Sequence, residues 1–285
     1  MASRSVLLHH LSNMGVNRVL HMVDCSKFSR RAVLFSSFAV VLGCGSSQRT
    51  DGLVAGESGR VVKIRDGDAL TLDSGLSVRL AEIEAPRLAW NDRPQDPFGE
   101  QSFEMLEYIA LGRVARLYYG GLSRDRYDRA LAHVLVEDET GKDIWLNGYM
   151  VHQGGARVRS YSDNCARARA LYPLESEARQ LNRGLWTHQG YNVRTPDDLS
   201  QTRRGFCIVE GRIDEIAEIA DGQSRVAGTA SGGLAVRLGY GLARAPDRIP
   251  LAPGDHVRLR GYASELDGHM DIRPDHWAQF EALEL

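Results

Sequence analysis

Four charged residues lie in short motifs whose types and spacing suit the chemistry of a phosphodiester. They are Asp68 in Asp-Gly-Asp, Arg79 in Val-Arg-Leu, Glu84 in Glu-Ala-Pro and Arg129 in Asp-Arg-Tyr-Asp-Arg. The planar guanidinium of arginine binds two phosphate oxygens at once, and carboxylates supply oxygens that hold a cation or a proton beside it. The set therefore predicts a site that acts on a phosphate.

Arg87 occupies the next place in this series, directly after Pro86, where the same chemistry would use a carboxylate to handle the attacking water. Arginine stays charged and cannot accept a proton. General-base help is worth about 10²- to 10⁴-fold in rate, so its loss slows turnover without removing the contribution of the arginines. Glu82 and Glu100 are near enough in sequence to replace it, although such glutamates are usually solvated surface charges.

The same residues also have ordinary structural interpretations. Asp66-Gly67 between two strand-like segments is typical of a hairpin turn, and Asp68 then needs no further role. Most arginines are surface residues, so Arg79 and Arg129, taken singly, would be solvated strand residues. The spacing of the whole set favours the functional interpretation.

The charge distribution limits the partners that the chain can bind. The 285 residues carry a net charge of -2, but residues 1–44 carry +4, which leaves -6 for the remainder. Sequence-independent affinity for nucleic acid comes mainly from Lys and Arg that displace counterions from phosphates. An acidic body therefore argues against a strong non-specific binder, and a polynucleotide must meet a local basic cleft.

Strand and helix patterns indicate what positions these residues. Five segments have alternating or continuous apolar residues between turn residues, and three others have apolar residues at helical spacing. The predicted strands are 60–65, 69–72, 77–84, 114–119 and 130–136, and the predicted helices are near 98–111, 144–153 and 171–182. Five strands with inserted helices predict a small Greek-key barrel.

A second unit follows the first. Residues 190–205 are polar and are typical of a linker. Residues 206–285 contain further strand-like segments separated by turns, at 206–213, 234–238, 257–262 and 279–285. These predict a second small all-β domain, either a barrel of OB-like type or a sandwich, whose purpose the sequence leaves open.

Residues of about 58–187 resemble the staphylococcal nuclease (thermonuclease) family. The resemblance runs from Gly-Arg-Val-Val at residue 59 to Gly-Leu-Trp at residue 184, and it includes all four charged motifs. It implies an α+β fold in which a five-stranded OB-fold barrel with three helices fills a domain of residues 58–189.

For the site, the resemblance implies a calcium-dependent endonuclease that hydrolyses DNA or RNA. Asp68, Glu84 and the backbone carbonyl of Ala85 match the calcium ligands. Arg79 and Arg129 match the catalytic arginines that hold the phosphate. In that scheme calcium acts as a Lewis acid, and the arginines stabilise charge that grows on the phosphate oxygens.

Three further residues match substrate-binding positions of the family. Arg126 and Tyr127 match a pair that contacts a neighbouring phosphate. Tyr161 matches one of two aromatic residues that stack on the nucleotide base, and Arg159 or Ser160 replaces the other. The resemblance thus implies a nucleic-acid substrate with one stacking residue fewer.

Arg87 stands where the family has the glutamate that activates the attacking water. Two hypotheses follow: a nuclease weakened at this position, or a catalytically inactive module of the same fold that binds nucleic acid or a protein partner. The four retained charged residues favour the enzyme, whereas Arg87 and the acidic body favour the binding module.

Residues 1–44 have the pattern of an export signal. A basic stretch ending at Arg31 precedes an apolar run, residues 32–42, which is too short to span a bilayer and ends in small residues. The two consecutive arginines resemble a twin-arginine signal, and Val-Leu-Gly-Cys resembles a lipobox with lipidation at Cys44. Simple cleavage and a buried core helix are the alternatives. We expect an exported bacterial protein, periplasmic, membrane-anchored or secreted, with residues 45–57 as a tether.

The remaining expectations concern partners and cofactors. No two cysteines have the spacing of a zinc site, and we expect no small-molecule cofactor. Membrane contact is expected only through a lipid at Cys44. Pairing of Cys165 with Cys207, and the oligomeric state, are left open by the sequence.

Overall fold

Alternating apolar residues build the first sheet, because each strand contributes one row of them to a shared core. The computed structural model describes residue 50 and residues 52–199, 205–218, 225–229, 235–237, 252–266 and 269–283. The first eight strands are β1 (Val54–Asp66), β2 (Ala69–Leu72), β3 (Ser77–Leu80), β4 (Ile83–Glu84), β5 (Val114–Tyr119), β6 (Ala130–Glu137), β7 (Asp143–Trp145) and β8 (Arg157–Val158).

Five of these strands close into a barrel. β1 pairs antiparallel with β2 and β5, β2 with β3, and β5 with β6, and a parallel pairing of β3 with β6 closes the ring. β7 extends the sheet beyond β6, and β4 and β8 form a separate two-stranded ladder. Leu70, Leu72, Val78 and Leu80 fill the core with no exposure to solvent. The predicted five-stranded α+β barrel is confirmed.

Helices cover this barrel at the places where the chain has helical spacing of apolar residues. They are α1 (Gly99–Ala110), α2 (Leu146–His152), α3 (Ala168–Gln180) and a short α4 (Pro196–Leu199). Leu106, Ile109 and Ala110 on α1 face the core, as the predicted stripe requires. α2 begins after the predicted start at residue 144 because Asp143–Trp145 pairs with β6 as β7.

The C-terminal strands form a second barrel with the same connectivity as the first. They are β9 (Gly205–Glu218), β10 (Arg225–Thr229), β11 (Ala235–Arg237), β12 (His256–Leu266), β13 (His269–Arg273) and β14 (Phe280–Ala282). β9 pairs antiparallel with β10 and β12, β10 with β11, and β12 with β13, and β11 runs parallel to β13. This is the strand order of an OB-fold, with β14 extending the sheet beyond β12. The predicted second all-β domain is present.

Buried charges join the two barrels. Arg260 on β12 and Glu175 on α3 are both fully buried and hydrogen-bonded to each other. Arg260 also donates to Glu281 at 2.9 Å, and its guanidinium lies 4.1 Å from the ring centroid of Tyr172. Glu175 accepts a further bond from the backbone N–H of Val158 on β8 at 2.8 Å. Since a buried charge is stable only when paired, this network fixes the second barrel against α3 and β8.

The segment predicted as a linker packs against the second barrel where the structure describes it. The backbone N–H of Arg194 donates to the carbonyl of Ile208, and the N–H of Glu210 donates to the carbonyl of Arg194, both at 2.9 Å. Leu199 at the end of α4 is fully buried in the second core. Residues 194–199 therefore belong to the folded body.

Three expectations concern regions beyond these cores. Cys165 and Cys207 are free thiols. In the part of the chain that the structure describes, no helix is long and apolar enough to cross a membrane. The predicted export signal, including Cys44, lies outside the described residues.

Candidate active site

Asp68 lies in the tight turn between β1 and β2 and is almost completely buried. Its Oδ2 accepts hydrogen bonds from Arg79 at 3.1 Å and from the backbone N–H of Ala85 at 3.2 Å. Burial raises the pKa of Asp68, and the charge of Arg79 opposes this only in part. Burial and the neighbouring Asp68 also raise the pKa of Asp66, to about 6. The turn therefore presents carboxylates whose negative charge is poorly compensated.

Gly67 allows this turn to lie against the rest of the barrel. A Cβ at Gly67 would lie 2.0 Å from the Oγ of Ser102 and 2.8 Å from the Cβ of Ala85. No other residue fits without displacing α1 or the chain that follows Glu84. Close approach of the backbone thus places Asp68 beside Ala85.

Glu84 is surrounded by guanidinium groups. It pairs with Arg157 across the ladder of β4 and β8, and its Oε2 accepts from the Nη2 of Arg157 at 2.7 Å and from the Nε at 3.1 Å. Arg159 bonds the Oε1, and the Nη2 of Arg87 lies 3.6 Å from the same oxygen. Burial acts to raise the pKa of Glu84, but Arg157 and Arg159 outweigh it and hold the pKa below its ordinary value.

The parallel pairing of β3 with β6 brings Arg79 and Arg129 to one side of the barrel. Arg79 pairs with Leu131, two residues beyond Arg129, and both arginines act electrostatically on Asp68. Asp125 holds Arg129 by two bonds, to Nε at 2.7 Å and to Nη2 at 2.6 Å, and accepts the backbone N–H groups of Tyr127 and Arg129. Asp125 therefore orients Arg129 and shapes the loop that carries it.

A cleft of about 580 Å³ collects the predicted phosphate-binding residues. We call it the arginine cleft, because its wall includes Arg79, Arg87, Arg126, Arg129 and Arg159. Two exposed aromatic residues, Tyr127 and Tyr161, line it as well, and the guanidinium of Arg126 lies 4.9 Å from the ring centroid of Tyr127. The arginine cleft is the local basic surface that an acidic protein needs to bind nucleic acid.

Comparison with known proteins identifies the family of this chain. Residues 77–188 match the family described as staphylococcal nuclease homologue. The chain is 35% identical over 139 residues to an uncharacterized endonuclease of Escherichia coli, an alignment that covers 47% of this chain and 80% of that protein. The chain belongs to the staphylococcal nuclease homologue family.

Two further relatives extend this comparison. An uncharacterized endonuclease of Haemophilus influenzae is 31% identical over 183 residues, 61% of this chain and 86% of that protein. The thermonuclease of Staphylococcus intermedius is 25% identical over 158 residues, 54% of this chain and 91% of that protein. The family match begins at residue 77, so β1, β2 and Asp68 precede the matched segment and join it through the barrel.

The calcium ligands that the family resemblance implies do not fit a cation in their present arrangement. Both oxygens of Glu84 are bonded to guanidinium groups, and Arg79 bonds the Oδ2 of Asp68. A calcium ion at Glu84 would lie next to the guanidiniums of Arg157 and Arg159, which repel it. Among the described residues, no group of three or more His, Cys, Asp and Glu side chains is placed to hold a metal.

The two glutamates considered as substitute bases have different surroundings, and only Glu82 lines the arginine cleft. Glu82 is buried, and its carboxylate accepts from the backbone N–H of Arg167 and contacts the Nε2 of His133 at 3.1 Å. Glu100 is exposed in the first turn of α1. Glu82 lines the arginine cleft, but its carboxylate is already engaged by His133 and by the backbone of Arg167.

The roles of three residues in this site were not predicted from the sequence. Asp125 orients Arg129, Arg157 neutralises Glu84, and Tyr262 on β12 lines the arginine cleft. The alternation Arg157-Val158-Arg159 is a local signal for the second of these, since alternate residues of a strand share a face. No local signal links Tyr262 to residues a hundred positions earlier.

Proposed function

We propose that the protein is an exported nuclease that hydrolyses phosphodiester bonds of DNA or RNA in the arginine cleft. The observation that carries this proposal is the meeting of Arg79 and Arg129 at one side of the barrel, around the buried Asp68. Two arginines that line one cleft suit a phosphate, because a planar guanidinium binds two phosphate oxygens at once. Kinship with proteins named endonuclease and thermonuclease supports the same reaction.

Each residue of the cleft has a role in this proposal. Arg79 and Arg129 hold the scissile phosphate and stabilise the charge that grows on its oxygens during attack by water. Arg126 and Tyr127 contact a neighbouring phosphate, and Tyr161 stacks on a base. Because Arg87 offers no proton acceptor, the attacking water lacks a general base and turnover is slow.

Calcium dependence stays a prediction from the family resemblance. When bound, calcium would polarise the phosphate as a Lewis acid. Since the donor set at Glu84 is covered by arginines, no step of the proposed reaction is assigned to the ion. The assay described below therefore includes calcium as a variable.

The export part of the proposal rests on residues 1–44 alone. A basic stretch, an apolar run and small residues follow one another there in the order typical of a signal. Lipidation at Cys44 would anchor the folded barrels to a membrane, whereas simple cleavage would release them beyond the inner membrane. Radiolabelled palmitate incorporated by wild type and not by Cys44→Ser would establish the lipidated form.

A binding module without hydrolysis is the second candidate. The observation that favours it is the combination of Arg87, which cannot accept a proton, with Glu84 neutralised by its arginine neighbours. Such a protein would bind nucleic acid or a protein partner in the arginine cleft and leave the phosphodiester intact.

Digestion of single-stranded DNA and RNA distinguishes the two candidates. Wild type, Arg129→Ala and the control Arg116→Ala are compared with calcium and then with chelator. Arg116 is an acid-paired arginine on β5, outside the arginine cleft, and so matches Arg129 in type. We expect Arg129→Ala to lose about 10²- to 10³-fold in turnover while Arg116→Ala retains it. Negligible cleavage by all three proteins in every condition would reject the nuclease and leave the binding module.

A further inference from the structure

Two aromatic residues of the second barrel lie beside the nuclease site. Tyr262 on β12 and Phe206 on β9 contact each other edge to face, with ring centroids 5.9 Å apart and an interplanar angle of 76°. Tyr262 is 48% exposed, so its ring is accessible to a ligand. The second barrel thus presents an open aromatic face to the first.

Arginines of the first barrel interleave with these rings. The guanidinium of Arg159 lies 5.0 Å from the ring centroid of Phe206, 5.3 Å from that of Tyr262 and 5.4 Å from that of Tyr161. The guanidinium of Arg157 lies 4.8 Å from the ring of Phe206. Arg159 also donates a hydrogen bond to the hydroxyl of Tyr262. Alternating guanidinium and aromatic planes are the typical surface for a single-stranded nucleic acid.

A second cleft of about 430 Å³ runs along this face. We call it the side cleft; its wall includes Glu84, Arg157, Phe206 and Tyr191. Three residues, Arg87, Arg159 and Tyr262, line both clefts, so the arginine cleft continues into the side cleft.

The side cleft has more positive than negative charge around Glu84. The single carboxylate of Glu84 is shared among the guanidiniums of Arg87, Arg157 and Arg159, which leaves two formal positive charges uncompensated around it. Arg93 is paired separately with Asp96. A phosphate entering the side cleft would meet this excess charge at a partly buried position, where the attraction is weakly screened.

We propose that the second barrel completes the substrate cleft, so that a single-stranded nucleic acid passes from the arginine cleft into the side cleft and stacks a base on Tyr262. The phosphate beside that base contacts Arg157 and Arg159. This inference rests on the proposed function, since the strand enters through the arginine cleft. Single strands are required because the bases of a duplex are stacked on one another and cannot reach an exposed ring.

Binding by fluorescence anisotropy tests this proposal in the full chain, with chelator present and with each probe checked by gel electrophoresis to be intact after the measurement. The probes are a labelled oligothymidylate, an oligouridylate of the same length, and an abasic oligomer that has the phosphates without bases. The variants are Tyr262→Ala and Tyr262→Phe, with Tyr108→Ala as the control. Tyr108 is an exposed tyrosine on α1 that lines neither cleft.

We expect a loss of binding affinity only for probes that carry bases. Tyr262→Ala weakens binding of oligothymidylate about tenfold and binding of the abasic oligomer by less than about twofold, since only the stacking contact is removed. Tyr262→Phe keeps the ring and binds like wild type, and Tyr108→Ala is unchanged. A loss with oligouridylate as well extends the subsite to RNA. Equal affinity of Tyr262→Ala and wild type, or an equal loss with the abasic oligomer, overturns the proposal.

Cleavage by the same variants separates this inference from the nuclease itself. Unchanged affinity in Tyr262→Ala, together with cleavage that depends on Arg129, overturns the stacking subsite and keeps the nuclease. A base-dependent loss in Tyr262→Ala without cleavage by any protein supports the subsite and rejects hydrolysis. Thermal unfolding of each variant ensures that a loss of binding is not a loss of fold.

Discussion

Asp68 and Glu84, the two carboxylates predicted to share a calcium ion, lie in opposite electrostatic surroundings. Asp68 has one guanidinium partner, Arg79, and one backbone donor, and burial raises its pKa. Glu84 is bonded to Arg157 and Arg159 with Arg87 close by, and its pKa is lowered. Asp68 thus has too little positive charge around it to offset its burial, whereas Glu84 has more positive charge around it than its own negative charge requires.

In the proposed function, this difference would separate the places that attract a cation and a phosphate. A hard cation needs oxygen ligands with uncompensated negative charge. Of the two carboxylates, Asp68 is the less compensated, although Arg79 already bonds its Oδ2. A phosphate needs uncompensated guanidiniums, which the ladder of β4 and β8 supplies around Glu84. Arg87, which stands where the family resemblance implies a glutamate, adds a further positive charge beside Glu84.

The largest expected change comes from Arg87→Glu. The variant restores a proton acceptor at the water-activating position and removes one of the cations around Glu84. We expect turnover on single-stranded DNA to rise by about 10²-fold or more, because general-base catalysis contributes 10²- to 10⁴-fold. Arg87→Gln, which removes the charge without supplying a base, is the control. A glutamate variant no faster than the glutamine variant would show that the missing base does not limit turnover.

Removing the arginines from Glu84 should create a calcium site. We expect each single variant, Arg157→Ala or Arg159→Ala, to bind calcium about a hundredfold more tightly than wild type, since one positive charge about 6 Å from the ion costs on the order of 3 kcal/mol at an effective dielectric near 20. Isothermal titration with calcium measures the affinity directly. An unchanged affinity would mean that charge at Glu84 does not control metal binding.

The two carboxylates should also differ in what they contribute to stability. Glu84→Gln leaves its arginine neighbours without their acid, and we expect a loss of about 2 to 3 kcal/mol in the free energy of unfolding. Asp68→Asn removes a charge that burial disfavours, and we expect a loss below about 1 kcal/mol or a gain. Urea unfolding at neutral pH measures both. Equal losses for the two variants would contradict the contrast drawn between them.

A smaller effect is expected from the turn that supports Asp68. Gly67→Ala places a Cβ against Ser102 and Ala85, so we expect a loss of about 1 to 2 kcal/mol in the free energy of unfolding. The companion variant Ser102→Gly, which removes the contacting side chain, should recover part of this loss in Gly67→Ala. No recovery would mean that contact with Ala85, and not contact with Ser102, sets the requirement for glycine.

The barrel was predictable from the sequence wherever a strand alternates. β2 (Ala69–Leu72) and β5 (Val114–Tyr119) have the predicted bounds, because period-two patterning fixes both the element and its buried face. The repeat of the first barrel's connectivity in the second was not visible. It depends on long-range pairings such as β11 with β13, which leave no repeat in the residues themselves.

The residues of the site were likewise predictable only in part. Asp68, Arg79 and Arg129 were found through motif spacing. Motif spacing did not reveal that Arg157 is a partner of Glu84. Arg157 follows Glu84 by 73 residues and contacts it only because β4 and β8 pair. Tyr262 is 103 residues from Arg159 and reaches the cleft only because the second barrel docks there. Local patterns define which residues carry chemistry, and the fold decides which neighbours tune them.

A double-mutant cycle on Arg79 and Arg129 tests the central claim most directly. Turnover of single-stranded DNA is measured at saturating substrate for wild type, Arg79→Ala, Arg129→Ala and the double variant. If both guanidiniums hold one phosphate, each single variant loses about 10²- to 10³-fold and the double variant loses little more than either. Losses that multiply in the double variant, or single variants as active as wild type, would contradict a shared phosphate between the two arginines.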